Sequence, residues 1–216
     1  MRVLAVPVKS LERSKSRLGS VLSSTERAAL TLAMLEDVLD ASLAQTSWEV
    51  WVVSSDEAVL EVAARRGGRP VPEEGRSLLR AVRQVEGEVR GRGSRLAVLL
   101  GDLPFVTPHA LAAALDRPAA VVAAPAHSDG GTNLLLRRPP DVIPARFGRA
   151  SFAKHRWAAR RARVPFEEVD LEPLAFDLDR PADLDVVLAT NHPGRTRQVC
   201  LELDLAGRLR MKARHA

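Results

Sequence analysis

The sequence of 216 residues has a single cysteine, Cys200, and no tyrosine. One cysteine excludes an internal disulfide bond and any metal cage built from several thiolates, and it favours a reducing cytoplasm. Charged residues interrupt every apolar run, so no stretch reaches the roughly 18 residues of a membrane span. Arg2, Lys9 and Glu12 come too early for the apolar core of a secretory leader. We therefore predict a cytoplasmic protein that does not act at a membrane.

Aromatic residues are also scarce, with five Phe and three Trp, whereas 32 basic residues outnumber 27 acidic ones. The excess of positive charge suits a protein that binds nucleic acid or small anionic substrates. Proteins that bind single-stranded nucleic acid stack bases on aromatic side chains, and here the aromatics are not interleaved with the basic residues. We therefore expect small anions as ligands and keep nucleic-acid binding as the alternative from a different class.

Short apolar runs alternate along the chain with segments of helical periodicity. This alternation predicts an α/β fold with a mainly parallel sheet that has helices on both faces. Strands are expected at Arg2–Val8, Trp48–Val53, Leu96–Leu100, Ala119–Ala124 and Thr132–Leu136, with shorter extended stretches at Val71 and Phe166–Val169. Helices are expected from the capping box at Ser23 and Glu26 onward and over Asp56–Arg66, Ser77–Val89, Pro108–Leu115, Ser151–Arg163 and Ala182–Ala189.

The one candidate boundary is the Asn-His-Pro-Gly stretch at 191–194. It predicts a domain over residues 1–190 and a tail over residues 191–216. The tail contains the sequence VCLELDL, which is typical of an added edge strand. Such an apolar strand is also where a second copy of the chain would pair, so we carry a homodimer as a possible assembly.

Polar clusters follow the predicted strands, at the edge of an α/β sheet where ligands usually bind. The first is a basic loop after the first strand that contains Lys9, Lys15, Ser16 and Arg17. Three cations and a hydroxyl in one loop could hold a triphosphate, or they could form an ordinary exposed basic loop. Neither a Walker A sequence nor a GxGxxG motif occurs in the chain.

Three aspartates follow other strands or turns. Asp102 comes directly after an apolar strand, and Asp177 and Asp179 are two residues apart, so in extended backbone they point the same way. Such carboxylates suit Mg²⁺, although each could simply cap a turn or a helix. Together with the basic loop they favour metal-assisted phosphoryl or nucleotidyl transfer. A glycosyltransferase that uses Asp177 and Asp179 as its metal motif is the alternative enzyme.

Two further segments resemble anion contacts. Residues 129–133, Asp-Gly-Gly-Thr-Asn, offer backbone amides and a hydroxyl, and Phe147–Ser151 leads into a helix whose first amides could bind phosphate or carboxylate. Plain N-capping is the alternative role of Ser151. His155 is expected to be a surface or packing residue, and Trp48 and Trp51 are expected to pack in the core.

Taken in order, the segments VPVKSLERSKSRL, GDLPFVTP, DGGTN, FGRASFAKHR and FDLDRPADL resemble the CofC and FbiD guanylyltransferases of coenzyme F-420 biosynthesis. The resemblance runs from about Val3 to Ala189. It implies a single-domain, Rossmann-like nucleotidyltransferase fold related to the molybdenum-cofactor guanylyltransferases of the MobA type. It also implies transfer of GMP from GTP to a small phosphorylated three-carbon acid, phosphoenolpyruvate or 2-phospho-L-lactate, with release of pyrophosphate.

The resemblance assigns roles to particular residues. It implies Mg²⁺ on Asp102, Asp177 and Asp179, and it places a basic group of Lys9, Lys15 and Arg17 at the GTP phosphates. The acid substrate would contact Thr132, Gly148 and Ser151. Family members usually carry a Gly-Leu-Asn-x-Ala element near the nucleotide, whereas the matching stretch here begins at Ser77 and has Leu79 in place of the amide side chain.

Overall fold

The computed structural model describes residues 1–73, 77–89 and 95–213, and these form a seven-stranded sheet. The strands are β1 (Arg2–Pro7), β2 (Glu49–Ser54), β3 (Arg69–Pro72), β4 (Arg95–Leu99), β5 (Val121–Pro125), β6 (Thr132–Arg137) and β7 (Phe166–Glu168). Their order across the sheet is β3-β2-β1-β4-β6-β5-β7. Strand β6 runs antiparallel to both of its neighbours, and the other pairs are parallel. The predicted mainly parallel sheet with a returning strand at Thr132 is confirmed.

Helices connect these strands and cover both faces of the sheet. They are α1 (Ser24–Leu43), α2 (Glu57–Arg66), α3 (Leu78–Val89), α4 (Pro108–Leu115), α5 (Ser151–Ala162), α6 (Glu172–Ala175), α7 (Pro181–Ala189), α8 (Arg195–Glu202) and α9 (Leu205–Ala213). Two short 3-10 turns, Leu11–Arg13 and Ser16–Leu18, follow β1. Among the described residues, no helix combines the length and the apolar character that crossing a membrane requires.

Local sequence signals set the helix ends. The Ser23 hydroxyl accepts a hydrogen bond from the Glu26 amide while the Glu26 carboxylate accepts one from the Ser23 amide, which is the predicted capping box. Gly67 ends α2 with a φ of 94°, a left-handed conformation that glycine adopts without steric cost. Trp48 and Trp51 are buried, as expected of packing residues.

The core lies on both faces of the central strands. Alternate residues of each strand point to opposite faces, so Leu4 and Val6 of β1 join one apolar cluster while Val3 and Ala5 join another. The first cluster includes α1, α2 and α4, and the second includes α3. These packed layers hold the carboxyl ends of β1 and β4 in fixed positions, and the candidate site lies at those ends.

The tail does not form the expected edge strand, and that prediction is wrong. The chain folds into α8 and α9, because Thr196, Val199 and Cys200, at positions i, i+3 and i+4, form the buried face of α8. Val199 and Cys200 pack in a cluster that includes Leu30 and Met34 of α1. Burial also raises the pKa of the Cys200 thiol to about 11. Within the described part of the tail, this apolar surface packs against other helices of the same chain. The domain boundary at residue 190 stays a prediction.

One carboxylate on α1 fixes the start of α8. Asp37 accepts hydrogen bonds from the Arg195 amide at 2.6 Å, the Thr196 amide at 2.9 Å and the Thr196 hydroxyl at 2.6 Å. These amides have no partner within the helix, and a carboxylate at a helix N-terminus also interacts favourably with the helix dipole. Asp37 therefore supplies the N-terminal cap of α8 from another helix.

We expect Asp37→Ala to destabilise the protein by about 1–3 kcal/mol, because it leaves helix-end donors of α8 without an acceptor. Urea unfolding of the full chain measures this loss. Asp40→Ala is the matched control, since Asp40 lies one turn further along α1 and pairs with Arg66 at the surface. Its expected cost is below about 1 kcal/mol. Equal costs for the two variants would contradict the assignment of Asp37 as a cap.

Candidate active site

The predicted basic loop and the first predicted aspartate meet at the edge of the sheet. Strands β1 and β4 are parallel neighbours, so the loops that follow them lie side by side. Lys15 adopts a left-handed backbone with a φ of 48° and brings its ammonium to 2.7 Å from Asp102 Oδ2. The Lys15 side chain is only 6% exposed. This contact brings together two of the segments that the sequence analysis assigned to one site, and their roles in that site stay a prediction.

Asp179 joins the same group of charges. Its Oδ1 lies 2.9 Å from Lys15 Nζ, and its Oδ2 lies 3.2 Å from Arg17 Nη1. Burial alone would lower the pKa of Lys15, but the negative charges of Asp102 and Asp179 outweigh it and hold that pKa above its usual value. For Asp179, burial alone would raise the pKa, but the charge and hydrogen bond of Lys15 together with the charges of Arg17 and Lys9 outweigh burial, so the pKa is lowered.

Backbone contacts explain why Asp179 reaches this place from a distant part of the chain. The Leu178 amide donates to the Asp102 carbonyl at 3.2 Å, which ties the two acidic segments together. Asp183, in the first turn of α7, accepts hydrogen bonds from the amides of Asp179 and Arg180. A cap of the following helix therefore also orients the site.

Asp177 has a different partner, which the sequence analysis missed. The Ser128 hydroxyl lies 2.9 and 3.0 Å from the two carboxylate oxygens of Asp177. Burial and then the nearby charge of Asp102 raise the pKa of Asp177 to about 6. Asp177 is thus close to the other two aspartates but is not neutralised by Lys15 to the same degree.

One oxygen of the three aspartates has no hydrogen-bond partner among the described residues. Asp102 Oδ1 is buried, and no donor in the described residues forms a hydrogen bond with it. As the side chains stand, no group of three or more His, Cys, Asp or Glu within ranges 1–73, 77–89 and 95–213 is arranged to hold a metal ion. The Lys15 ammonium lies between two of the carboxylates. The carboxylate oxygens of the three aspartates are hard ligands of the kind that Mg²⁺ prefers, and the residue types therefore fit that ion.

The raised pKa of Asp177 predicts a pH-dependent stability of the metal-free protein. Ionising Asp177 is harder in the folded state than in the unfolded chain, so the folded state loses stability as pH rises above the ordinary value of 3.8 and through about 6. Asp177→Asn removes this cost. We expect the variant to melt at a higher temperature than the wild type at pH 8, with a smaller difference at pH 5, when both are scanned with a chelator present. A difference that grows toward low pH would contradict this account.

Lys15, Arg17, Asp102 and Asp179 are joined by ion pairs, and we call them the Lys15 group. A pocket of about 680 Å³ adjoins this group. Lys9, Lys15, Arg17, Asp102 and Asp179 line one part of it. Pro7 and Val8 at the end of β1, together with Leu78 and Ala81 of α3, supply apolar lining. The pocket therefore combines a charged region with an apolar wall. These dimensions and surfaces suit a nucleotide, with its phosphates at the charged part.

The predicted anion contacts also come together, in a second group. Ser151 Oγ lies 2.9 Å from Thr132 Oγ1, and the Ser151 amide donates to the Gly148 carbonyl at 3.0 Å. Gly148 has a φ of 114°, which favours glycine. These residues do not line the nucleotide-sized pocket described above. Ser128, the partner of Asp177, lies in the loop that leads into β6, and Thr132 is the first residue of that strand, so the loop connects the two groups.

Comparison with known proteins shows the family of this chain. A family model described as guanylyl transferase CofC like matches residues 1–206. A phosphoenolpyruvate guanylyltransferase from Sphaerobacter thermophilus is 41% identical over 188 residues, which cover 85% of this chain and 90% of that protein. A 2-phospho-L-lactate guanylyltransferase from Haloferax volcanii is 38% identical over 185 residues, or 85% of this chain and 83% of that one.

Solved structures share the fold. A nucleotide-diphospho-sugar transferase structure from Desulfovibrio desulfuricans superposes with a TM-score of 0.80 at 21% identity and covers 97% of each chain. A nucleotidyl transferase from Methanothermobacter superposes with a TM-score of 0.60 at 16% identity and covers 87% of this chain and 95% of its own. The predicted nucleotidyltransferase fold is confirmed.

Proposed function

Because this chain belongs to the CofC-like guanylyl transferase family, we propose that it transfers GMP from GTP to phosphoenolpyruvate and releases pyrophosphate. The product would be enolpyruvyl-diphosphoguanosine, an intermediate of coenzyme F-420 biosynthesis. The observation that best supports this proposal is the Lys15 group, in which two cations and two aspartates, Asp102 and Asp179, line one part of a nucleotide-sized pocket.

In the proposed reaction a phosphate oxygen of the acid attacks the α-phosphorus of GTP. A bond forms between that oxygen and the α-phosphorus, and the bond from the α-phosphorus to the bridging oxygen of pyrophosphate breaks. The attacking oxygen is already anionic, so no side chain has to remove a proton. The protein instead has to bring two anions together and offset their charge.

The chain offers several groups for this task. Lys9, Lys15 and Arg17 would bind the phosphates of GTP, and Leu78 and Ala81 would pack against the base. Asp102, Asp177 and Asp179 would hold Mg²⁺, which would supply Lewis-acid neutralisation of the phosphate charge when bound. Thr132, Gly148 and Ser151 would bind the phosphate and carboxylate of the acid.

The identity of the acid is the most specific part of the proposal. Phosphoenolpyruvate and 2-phospho-L-lactate differ by few atoms, and relatives named for each acid are of similar identity to this chain. The second candidate function is therefore 2-phospho-L-lactate guanylyltransferase. Leu79 lies in the first turn of α3, near pocket residues Leu78 and Ala81, and its side chain has no amide group with which to recognise a base.

The experiment is pyrophosphate release by the purified protein with Mg²⁺. GTP and ATP are each combined with phosphoenolpyruvate, 2-phospho-L-lactate or no acid. The proposal predicts release that requires both GTP and phosphoenolpyruvate, and a preference for phospholactate would favour the second candidate. If folded protein releases no pyrophosphate with any pair, the proposal is wrong.

A further inference from the structure

His155 was expected to be a surface or packing residue, but both of its ring nitrogens are hydrogen-bonded within the second group of site residues. Its side chain is fully buried on α5. The Arg146 amide lies 2.9 Å from Nε2, and Nδ1 lies 3.0 Å from Thr132 Oγ1. The ring therefore bridges α5, the start of β6 and the loop that carries Gly148.

The hydrogen bond from Arg146 fixes where the ring proton lies. A backbone N–H can only donate, so Nε2 must accept and cannot carry a proton. A neutral imidazole then has its proton on Nδ1, which donates to Thr132 Oγ1. Burial, followed by the charges of Arg137, Arg146 and Lys154, lowers the pKa of His155 to about 4. Phe147 packs against the ring edge-on at 5.6 Å and adds no charge.

The direction of the His155 bond has a consequence for Thr132. Thr132 Oγ1 accepts one hydrogen bond from His155 Nδ1 and a second from Ser151 Oγ. A hydroxyl oxygen has two acceptor lone pairs, so both are then used. The hydroxyl proton of Thr132 is left to donate to a further acceptor. An anion with oxygen atoms is such an acceptor.

We propose that His155 is a positioning residue that orients the Thr132 hydroxyl and the Gly148 loop for the acid substrate. This inference rests on the proposed function, because the acid is assigned to Thr132, Gly148 and Ser151 there. His155 itself touches neither substrate. Its Nδ1–H donates a hydrogen bond to the Thr132 hydroxyl, and its Nε2 accepts one from the Arg146 amide of the loop.

Two substitutions separate the two bonds of the ring. The side-chain amide of His155→Asn can keep a donor near the Nδ1 position, for Thr132, and loses the acceptor for the Arg146 amide. The side-chain amide of His155→Gln can keep an acceptor near the Nε2 position, for the Arg146 amide, and loses the donor to Thr132. We expect His155→Gln to raise the KM for the acid by about tenfold, as loss of an oriented hydrogen bond does, and to leave the KM for GTP within about twofold. His155→Asn keeps the donor to Thr132 and loses only the acceptor for the Arg146 amide, so it should raise the KM for the acid less, by about threefold, and leave the KM for GTP within about twofold. Arg160→Gln, an exposed change on the same helix, is the control.

A double-mutant cycle tests whether the effect passes through Thr132. If His155 acts by orienting that hydroxyl, His155→Gln adds little to the KM change of Thr132→Val. If the two changes multiply, or if KM rises equally for both substrates, His155 has a general structural role and the inference is wrong.

A spectroscopic measurement separates this inference from the proposed function. Ring nitrogen and hydrogen correlations of His155 in the wild-type protein should show a proton on Nδ1, with no titration between pH 5.5 and 8, whatever the enzyme does. A proton on Nε2, or titration in that range, would overturn the inference. Wild-type protein without transferase activity but with the Nδ1 proton would instead refute only the proposed function and the link to the acid.

Discussion

Asp102→Asn is expected to lower the turnover of pyrophosphate release by at least about 100-fold, because a charge-stabilising group at a reaction centre commonly contributes that much. The substitution keeps the shape of the side chain and removes its charge. Asp102 Oδ2 accepts from Lys15, and its other oxygen is buried without a hydrogen-bond partner in the described residues. An asparagine amide in either position would present a donor where a cation is expected.

The measurement is kcat at saturating GTP and acid, with thermal unfolding to show that the variant is folded. Asp185→Asn is the matched control, since Asp185 is exposed on α7. A folded Asp102→Asn enzyme with near-normal turnover would contradict the assignment of Asp102 to the charge-neutralising site.

Lys15→Met is expected to reduce turnover by at least about 100-fold and to destabilise the metal-free protein by about 1–3 kcal/mol. The methionine leaves Asp102 without its 2.7 Å partner and Asp179 without its 2.9 Å partner. Both carboxylates are part-buried, so solvent screens only a portion of their repulsion.

Urea unfolding in a chelator measures the loss of stability, and Lys154→Met at the surface of α5 is its control. Millimolar Mg²⁺ should restore more stability to Lys15→Met than to the wild type, because a bound cation would replace the missing charge. Equal effects of Mg²⁺ on the two proteins would argue against a cation site beside Lys15.

Much of the fold could be predicted because its signals are local. The apolar runs before Lys9 and before Asp102 are short and continuous, as expected of strands buried on both faces, and the structure has β1 and β4 there. Parallel strands end at one edge of the sheet, so the contact between Lys15 and Asp102 follows from the positions of their strands. The order of the motifs predicted the roles of these residues, whereas the distances between their side chains depend on the packing of the fold.

The parts that sequence reasoning missed depend on contacts between distant residues. The pattern VCLELDL is compatible with either a strand or a helix. The cap from Asp37, more than 150 residues away in the sequence, favours the helix because it satisfies the first amides of α8. Ser128 has no sequence signal that connects it to Asp177. His155 does have a sequence signal that connects it to Ser151, since it lies four residues later and therefore on the same face of α5.

The central claim is tested most directly by the fate of the α-phosphorus of GTP. The protein is incubated with Mg²⁺, phosphoenolpyruvate and GTP labelled at that position, and the products are separated and identified by mass and by phosphorus NMR. The account predicts that the label appears in a diphosphate diester that joins GMP to the acid, with unlabelled pyrophosphate in equal amount. Label that stays in GTP, or that appears as free GMP with the acid unchanged, would contradict it.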